Sequence, residues 1–305
     1  MFSFTDPSYP NAALGIGADG ISAVALSGGR GNYSIRQAAS VQLLPGILVP
    51  SFIDTNIQDN TAFANALNEV IEIAGLLSQK RWSIALPSNT ARTAIIALET
   101  EPANAKELAE VLDWKAEQNF GAPALELRIA SNKISPDKDG RSRFFVTAVK
   151  LAVIDEYESH FESRGWKAGL ILPRAIGEAN WLMTTPNVDS MLISETSDGF
   201  TAMLLRGQEP AVVRSVTCTP GEVDDEIYRL VMFYNDRVAG GGGTLDRLLV
   251  LGHEMAQAQV QSIASEALGR PIRVLTSADV GLDIPATNLN FNDLAAPAGL
   301  AALGA

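Results

Sequence analysis

The chain repeats one order of elements in its two halves, and that repeat constrains the fold more than any single motif in it. Ala12 to Ala18, Ile21 to Leu26 after Asp19-Gly20, and Tyr33 to Leu43 after Gly28-Gly29-Arg30-Gly31 are β-rich runs separated by turn residues, which predicts an antiparallel meander. Phe63, Leu67, Val70, Ile71, Ala74 and Leu77 then fall on one helical face, and Ser83 to Leu86 gives a short apolar strand closed by Pro87. The same order returns later. Met191 to Glu195, Thr201 to Leu205 after Asp198-Gly199, and Ala211 to Thr217 form a second meander. A helix follows with Thr219 as N-cap, Pro220 in its first turn, Glu222 three residues after the cap, and an apolar stripe of Val223, Ile227, Leu230, Val231, Tyr234 and Val238. A strand at Arg247 to Leu251, a helix from Met255 to Leu268 and a strand at Ile272 to Leu275 complete the second half.

At 305 residues, 47% of them hydrophobic, a single core is expected to split into two. The first unit is expected over 1–185 and the second over 186–305, with the crossing at Thr184-Thr185-Pro186. An inserted α+β subdomain, about 88–165, interrupts the first. It reads as a strand at Thr93 to Leu98, a helix through Leu108, Val111, Leu112, Ala116 and Phe120, and strands at Leu125 to Ala130 and Arg143 to Leu151. A helix through Val153, Ile154, Tyr157 and Phe161 ends it. Ser135 to Gly140 is its exposed hairpin loop, and Trp166 to Leu172 with a helix from Pro173 to Met183 returns to the first unit.

Composition removes whole classes of function. A lone Cys218 excludes an intrachain disulfide and a cysteine-clustered zinc site, and two histidines, His160 and His253, cannot build a histidine-rich one. No metal site is expected. A formal net charge of -12, from 35 acidic against 23 basic residues, opposes nucleic-acid phosphate and anionic lipid and favours basic peptides. Met1 to Gly15 lacks the basic start and apolar core of a secretory signal, so the cytoplasm is the expected compartment. The longest apolar stretch, Leu294 to Ala305, falls short of the roughly 20 residues of a membrane helix and carries Pro297, Gly299 and Gly304, so direct membrane insertion is not expected.

Gly15-Ile-Gly-Ala-Asp-Gly20 matches the dinucleotide pattern G-x-G-x-x-G, but that pattern needs a helix beginning at its last glycines, and Ile21 to Leu26 reads as a strand. A glycine-dependent hairpin turn is the expected structure. The nucleotide-binding lysine loop G-x-x-x-x-G-K-[ST] does not occur. Three other features read as structural: Gly240 to Gly243 as a loop between helix and strand, Asp224-Asp225 as first-turn helix acids, and Cys218 as a small apolar filler.

Several segments, in their order and spacing, carry a resemblance over nearly the whole chain. They are Leu14-Gly15-Ile16-Gly17, Leu43-Leu44-Pro45-Gly46-Ile47, Ile84-Ala85-Leu86-Pro87, the helix ending Trp114 to Gly121, and Arg214-Ser215-Val216 leading to Glu226-Ile227-Tyr228-Arg229-Leu230. Together with the duplicated order they resemble the actin-like ATPase superfamily. At finer grain they resemble the PilM branch of type IV pilus assembly proteins, related to FtsA and to the cytoplasmic part of the type II secretion L component. The resemblance implies two ribonuclease-H-like lobes whose first hairpins grip the phosphates of magnesium-bound ATP in an interlobe cleft. On this chain that cleft maps to Gly15, Gly17, Asp19, Gly20, Ser194, Glu195, Gly199, Gly252 and His253.

The chain departs from that pattern at each phosphate loop. Gly17 stands where a metal-holding Asp is usual, with Asp19 displaced along the turn; Ser194 stands at the second Asp position, with Glu195 and Asp198 as neighbours. His253 and Glu254 follow Gly252 where small residues let the backbone approach adenosine. Phosphoryl transfer depends on placed metal ligands and water, so ATP and magnesium binding is expected to be weak or absent and no catalytic residue is assigned. The resemblance also implies a cytoplasmic scaffold recruited to the inner-membrane face, alongside other pilus or secretion platform components. It would dock the cytoplasmic N-terminal tail of a PilN-like single-span protein in a groove between the first lobe and the insertion. Leu86, Arg92, Ile95, Val149 and Leu151 are the candidate groove residues. An active ATPase or phosphotransferase, and a head-to-tail filament, stay open as other readings.

Overall fold

The computed structural model describes residues 8–29, 31–100, 102–183, 188–238, 244–285 and 288–305. The Thr184-Thr185-Pro186 crossing and the Gly240 to Gly243 loop lie outside the described residues.

The first meander is β1 (Ala12–Ile16), β2 (Gly20–Gly29) and β3 (Asn32–Gln42), paired antiparallel in sequence order. Helix α1 (Asn60–Ile73) begins where the Asp59 carboxylate accepts the Thr61 and Ala62 N–H groups, and it returns the chain to β4 (Arg81–Leu86), parallel to β1. The second half repeats this pairing. Strands β9 (Asp189–Thr196), β10 (Gly199–Arg206) and β11 (Glu209–Thr217) form an antiparallel meander, α5 (Val223–Phe233) follows, and β12 (Leu245–Leu251) runs parallel to β9. Each central strand also gains a parallel neighbour through a helix. In the first lobe α3 (Leu151–Glu162) leads to β8 (Lys167–Pro173) beside β4, and in the second α6 (Gln257–Leu268) leads to β13 (Arg273–Val274) beside β12. The duplication expected from the sequence is present strand by strand.

Between β4 and α3 sits the insertion: β5 (Arg92–Leu98), α2 (Ala105–Phe120), β6 (Leu127–Ile134) and β7 (Ser142–Lys150), its sheet ordered β5-β7-β6. Ile96, Leu98, Phe144 and Val146 of the sheet pack on Leu112 and Ala116 of α2. The helix through Val153, Ile154, Tyr157 and Phe161 does not belong to this unit. All four side chains enter the first lobe's outer core with α1, so the insertion closes at the end of β7 rather than near residue 165.

The domain division needs a larger correction at the C-terminus. Strand β14 (Leu282–Asp283) pairs parallel to β3, and α7 (Phe291–Ala301) packs on β1, β2, β4 and α4 (Arg174–Ala179), so the chain's end returns to the first lobe. The reason lies in its composition: Leu294 to Ala301 is buried on every face, and a helix apolar all round has to be covered on all sides. One core unites Ala13, Val24 and Ala85 of the first sheet with Leu192, Met203 and Leu249 of the second through α4, α7, Trp181 and Leu182. Pro297 sits inside α7, and the carbonyl four residues back, which its missing N–H cannot bond, is taken by Ser22 Oγ at 2.8 Å. Three smaller boundaries also differ. The expected helix from Pro173 to Met183 is regular over Arg174–Ala179, α5 starts at Val223 although Thr219 and Glu222 bond each other, and the second insertion strand starts at Leu127. Among the described residues no helix is long and apolar enough to cross a membrane.

Candidate functional site

Both hairpin turns and the loop after β12 open onto one cleft between the lobes. In the first turn the Gly17 N–H donates to the Gly20 carbonyl at 2.8 Å, extending the β1–β2 hairpin pairing to a two-residue loop with no helix after it. That geometry removes the dinucleotide reading of the glycines. In the second, Gly199 has φ +146°, and a Cβ there would lie 2.1 Å from the Val216 carbonyl, so glycine is required by the turn itself. Gly17, Asp19, Glu195, Gly252 and His253 border a cavity of about 320 Å³, at the lower end of ligand pockets. Gly15 and Gly20 border a connected one with Gly17, Asp19 and His253.

Ser194 stands elsewhere: it is 1% exposed, faces the core rather than the cleft, and its hydroxyl has no hydrogen-bond partner. Gly199 borders an adjoining cavity beside Cys218 and the start of α5, which shares Glu195, Thr196, Ser197 and Glu254 with the first. Gly15 reaches the cleft edge, but its lack of a side chain serves packing: a Cβ would stand 2.6 Å from Ser22 Oγ and 2.9 Å from the Pro297 ring of α7.

The cleft is furnished by the protein's own groups. The Glu195 carboxylate lies against Gly252, where a Cβ would meet it at 2.3 Å, and accepts the Glu254 N–H at 3.2 Å. Asn292, at the start of α7, bonds both polar groups of Gly252: its Nδ2 donates to the carbonyl at 2.9 Å and its Oδ1 accepts the N–H at 3.4 Å. His253 pairs with Asp293 at 2.8 Å. Across the mouth, Asn89 Nδ2 donates to Ser197 Oγ at 3.1 Å and to Asp198 Oδ1 at 2.7 Å, tying the turn after β4 to the second hairpin.

At the floor stands Arg174, which the sequence reading missed. Its Nε donates to Glu178 Oε1 at 2.7 Å, and Nη2 donates to the Asn292 carbonyl. Burial alone would lower its pKa, but the charge and hydrogen bond of Glu178, with Asp19 and Asp293 nearby, outweigh it and raise the pKa. The signal available in sequence was an Arg and a Glu four apart inside an otherwise uncharged run from Ala168 to Leu182. Asn89 and Asn292 carry no motif at all.

These residues do not fit hydrated magnesium, which needs oxygen ligands converging on one point. Asp19 is folded back within 2.9 Å of the Cβ position of Gly17, Glu195 is engaged with the Glu254 amide, and Ser194 is turned inward. Among the described residues no three of His, Cys, Asp and Glu gather as a metal-binding cluster. Burial first, then the charges of Glu222, Glu226 and Asp198, push the Cys218 thiol up in pKa and away from reactive thiolate.

Of the candidate groove residues, Leu86 is 2% exposed and belongs to the first lobe's core, because β4 is the sheet's interior strand and is covered on both faces. Arg92 is exposed and stacks on Phe52 at 5.3 Å from the ring centre, while Phe52 packs with Ala122, Leu127 and Ala148 of the insertion. Ile95 pairs with Phe145, Val149 is half-buried against the first lobe, and Leu151 is 37% exposed at the start of α3.

Two matched lobes, each opening on a hairpin, facing one another around a cleft, define the actin-like ATPase fold. Within that class the chain has a PilM-type fold. It is similar to a solved PilM-PilN type IV pilus biogenesis complex, at 17% identity, covering 98% of this chain and 99% of that one with a TM-score of 0.79. It is also similar, at 14% identity, to a protein of actin-like ATPase fold and unknown function from Bacteroides thetaiotaomicron, over 97% of this chain and 98% of that one, with a TM-score of 0.51. No protein-family model matches the chain, and no curated protein does.

Proposed function

We propose that the chain is a scaffold of a type IV pilus assembly platform, docking the cytoplasmic tail of a PilN-like single-span membrane protein. Its interlobe cleft keeps the form of a nucleotide site without its hydrolytic equipment. The observation that carries this reading is the end-to-end likeness to a PilM-PilN complex. The protein works at the cytoplasmic face of the inner membrane, recruited there by its partner and joined by other platform components.

The docking groove lies between the first lobe and the insertion, bordered by Arg92, Ile95, Val149 and Leu151. Leu86 leaves the set, since a core strand residue touches no partner. Tails beside membrane spans on the cytoplasmic side are rich in Lys and Arg, and a chain of net charge -12 attracts them at long range. Leu151 and Arg92 are the side chains to change, because Val149 also packs against the first lobe's core and its loss would destabilise the fold as well.

Calorimetric titration with a synthetic peptide from the cytoplasmic tail of a PilN-like protein tests the reading. Binding is expected, weakened at least about tenfold in Leu151→Gln and Arg92→Ala, which remove contact surface without adding negative charge, with the melting temperature unchanged. Equal affinity in both variants removes the groove, and no binding by the wild type removes the docking role. Magnesium-dependent release of phosphate from ATP would instead make the cleft an active enzyme.

A further inference from the structure

We propose that Arg174 is the permanent counter-cation of the interlobe cleft, occupying the electrostatic role of a divalent metal, so that this cleft takes up no divalent cation. The inference rests on reading the cleft as a nucleotide-site remnant. It goes further by naming what fills the charge role left by the lost carboxylate positions.

The placement of the guanidinium is fixed from two sides. Nε is held by Glu178, which is 0% exposed, and Nη2 by the main-chain carbonyl of Asn292 at the start of α7. Nη1 is left facing the first hairpin, 3.7 Å from where a Cβ on Gly17 would stand. The side chain is 22% exposed, so its charge is only partly screened by water. Three carboxylates share that single charge: Glu178 in direct contact, with Asp19 of the first turn and Asp293 of α7 flanking it. Glu178 Oε2 is buried without a hydrogen-bond partner, which makes the fixed positive charge beside it the group's main compensation.

A metal ion brought to this point would meet a like charge that cannot be titrated away, because a guanidinium stays protonated in proteins. A metal also needs converging oxygens, and those near Arg174 are already organised around nitrogen donors. Asp293 carries His253 on one oxygen, and Asp19 is folded onto its own turn. A phosphate-bearing ligand entering the cleft therefore meets a guanidinium edge and glycine-turn amides instead of a hydrated cation.

Removing the tethered charge frees the carboxylates, so the test is a gain of function. Manganese(II) is titrated into the full chain and free ion is followed by electron paramagnetic resonance. The wild type and Arg174→Lys are expected to take up none in the cleft. Arg174→Met is expected to gain uptake of about one ion per chain, and adding Asp293→Asn should abolish that gain. No gain in a folded Arg174→Met overturns the proposal. So does stoichiometric uptake by the wild type that Asp19→Asn removes, a measurement that stands even if Arg174→Met fails to fold. Tail-peptide affinity, read in its own titration, reports on docking and not on this assignment.

Discussion

His160 is the side chain through which this protein's stability should feel mild acid. Its Nε2 lies 2.9 Å from Asn60 Oδ1 at the start of α1, and its ring meets Phe63 edge-on at 5.1 Å between centres. Burial, and then the charge of Arg164, hold its pKa below the usual 6.5. The folded state therefore binds fewer protons than the unfolded one in the window between the lowered folded value and 6.5, and stability falls as pH drops through that window. Denaturant midpoints measured across it should decline toward acid in the wild type and flatten in His160→Gln. An equal slope in both would show that other groups set the acid response. At this scale the sequence was legible where a residue's own backbone demands declare themselves. The hairpin glycines were found for that reason, and Arg174 was not, because its role comes from Glu178, Asp19 and Asp293, which three separate segments bring together.

Among the elements, the crossing of α4 and α7 fixes how the C-terminal segment docks. A Cβ on Gly299 would stand 1.9 Å from the Gly177 carbonyl, and one on Gly177 would stand 2.5 Å from the Ala296 carbonyl, so both helices approach backbone to backbone. Asn180 Nδ2 and the Trp181 indole N–H donate to the Gly299 and Ala295 carbonyls at 2.9 and 2.7 Å, locking the register. Gly299→Ala should lower the unfolding free energy by at least the ~1–3 kcal/mol of ordinary overpacking, since main chain, not a movable side chain, stands in the way. Chemical denaturation measures this, with Gly121→Ala as a reference. There the αL helix end has nothing within 4 Å, so the cost should be only ~1 kcal/mol of backbone strain. Equal costs at the two positions would refute the close crossing. The same helix shows where sequence reading stopped. Pro297 and the surrounding glycines ruled out a membrane span, but an apolar helix at the end of the second half does not say which lobe it covers. The answer lies in its packing partners, β1, β2, β4 and α4, which no periodicity within the segment names.

For the whole molecule, the lobes are already held together by groups that need no ligand. The inner faces of both sheets share one core with α4 and α7, Asn89 bridges to the second hairpin, and the Ser135 N–H at the insertion's loop donates to Glu209 of β11 at 2.8 Å. A ligand raises stability by RT ln(1 + [L]/Kd), about 2.7 kcal/mol at a hundredfold excess over Kd, which shifts a chain of this size by several degrees. If Glu195, Asn292 and Arg174 have taken over the contacts a nucleotide would make, millimolar Mg-ATP should leave the melting temperature unchanged. Breaking the bridge should not create such a response. Asn89→Ala and Asp198→Ala should each cost about 0.5–1.5 kcal/mol, and a double-mutant cycle should recover a coupling between them, because one hydrogen bond links the pair. A clear thermal shift with Mg-ATP in the wild type would mean that the cleft still grips nucleotide and that its self-made contacts yield to it. A shift present in wild type and lost in Asn89→Ala would make that bridge part of a closing motion rather than a standing tie.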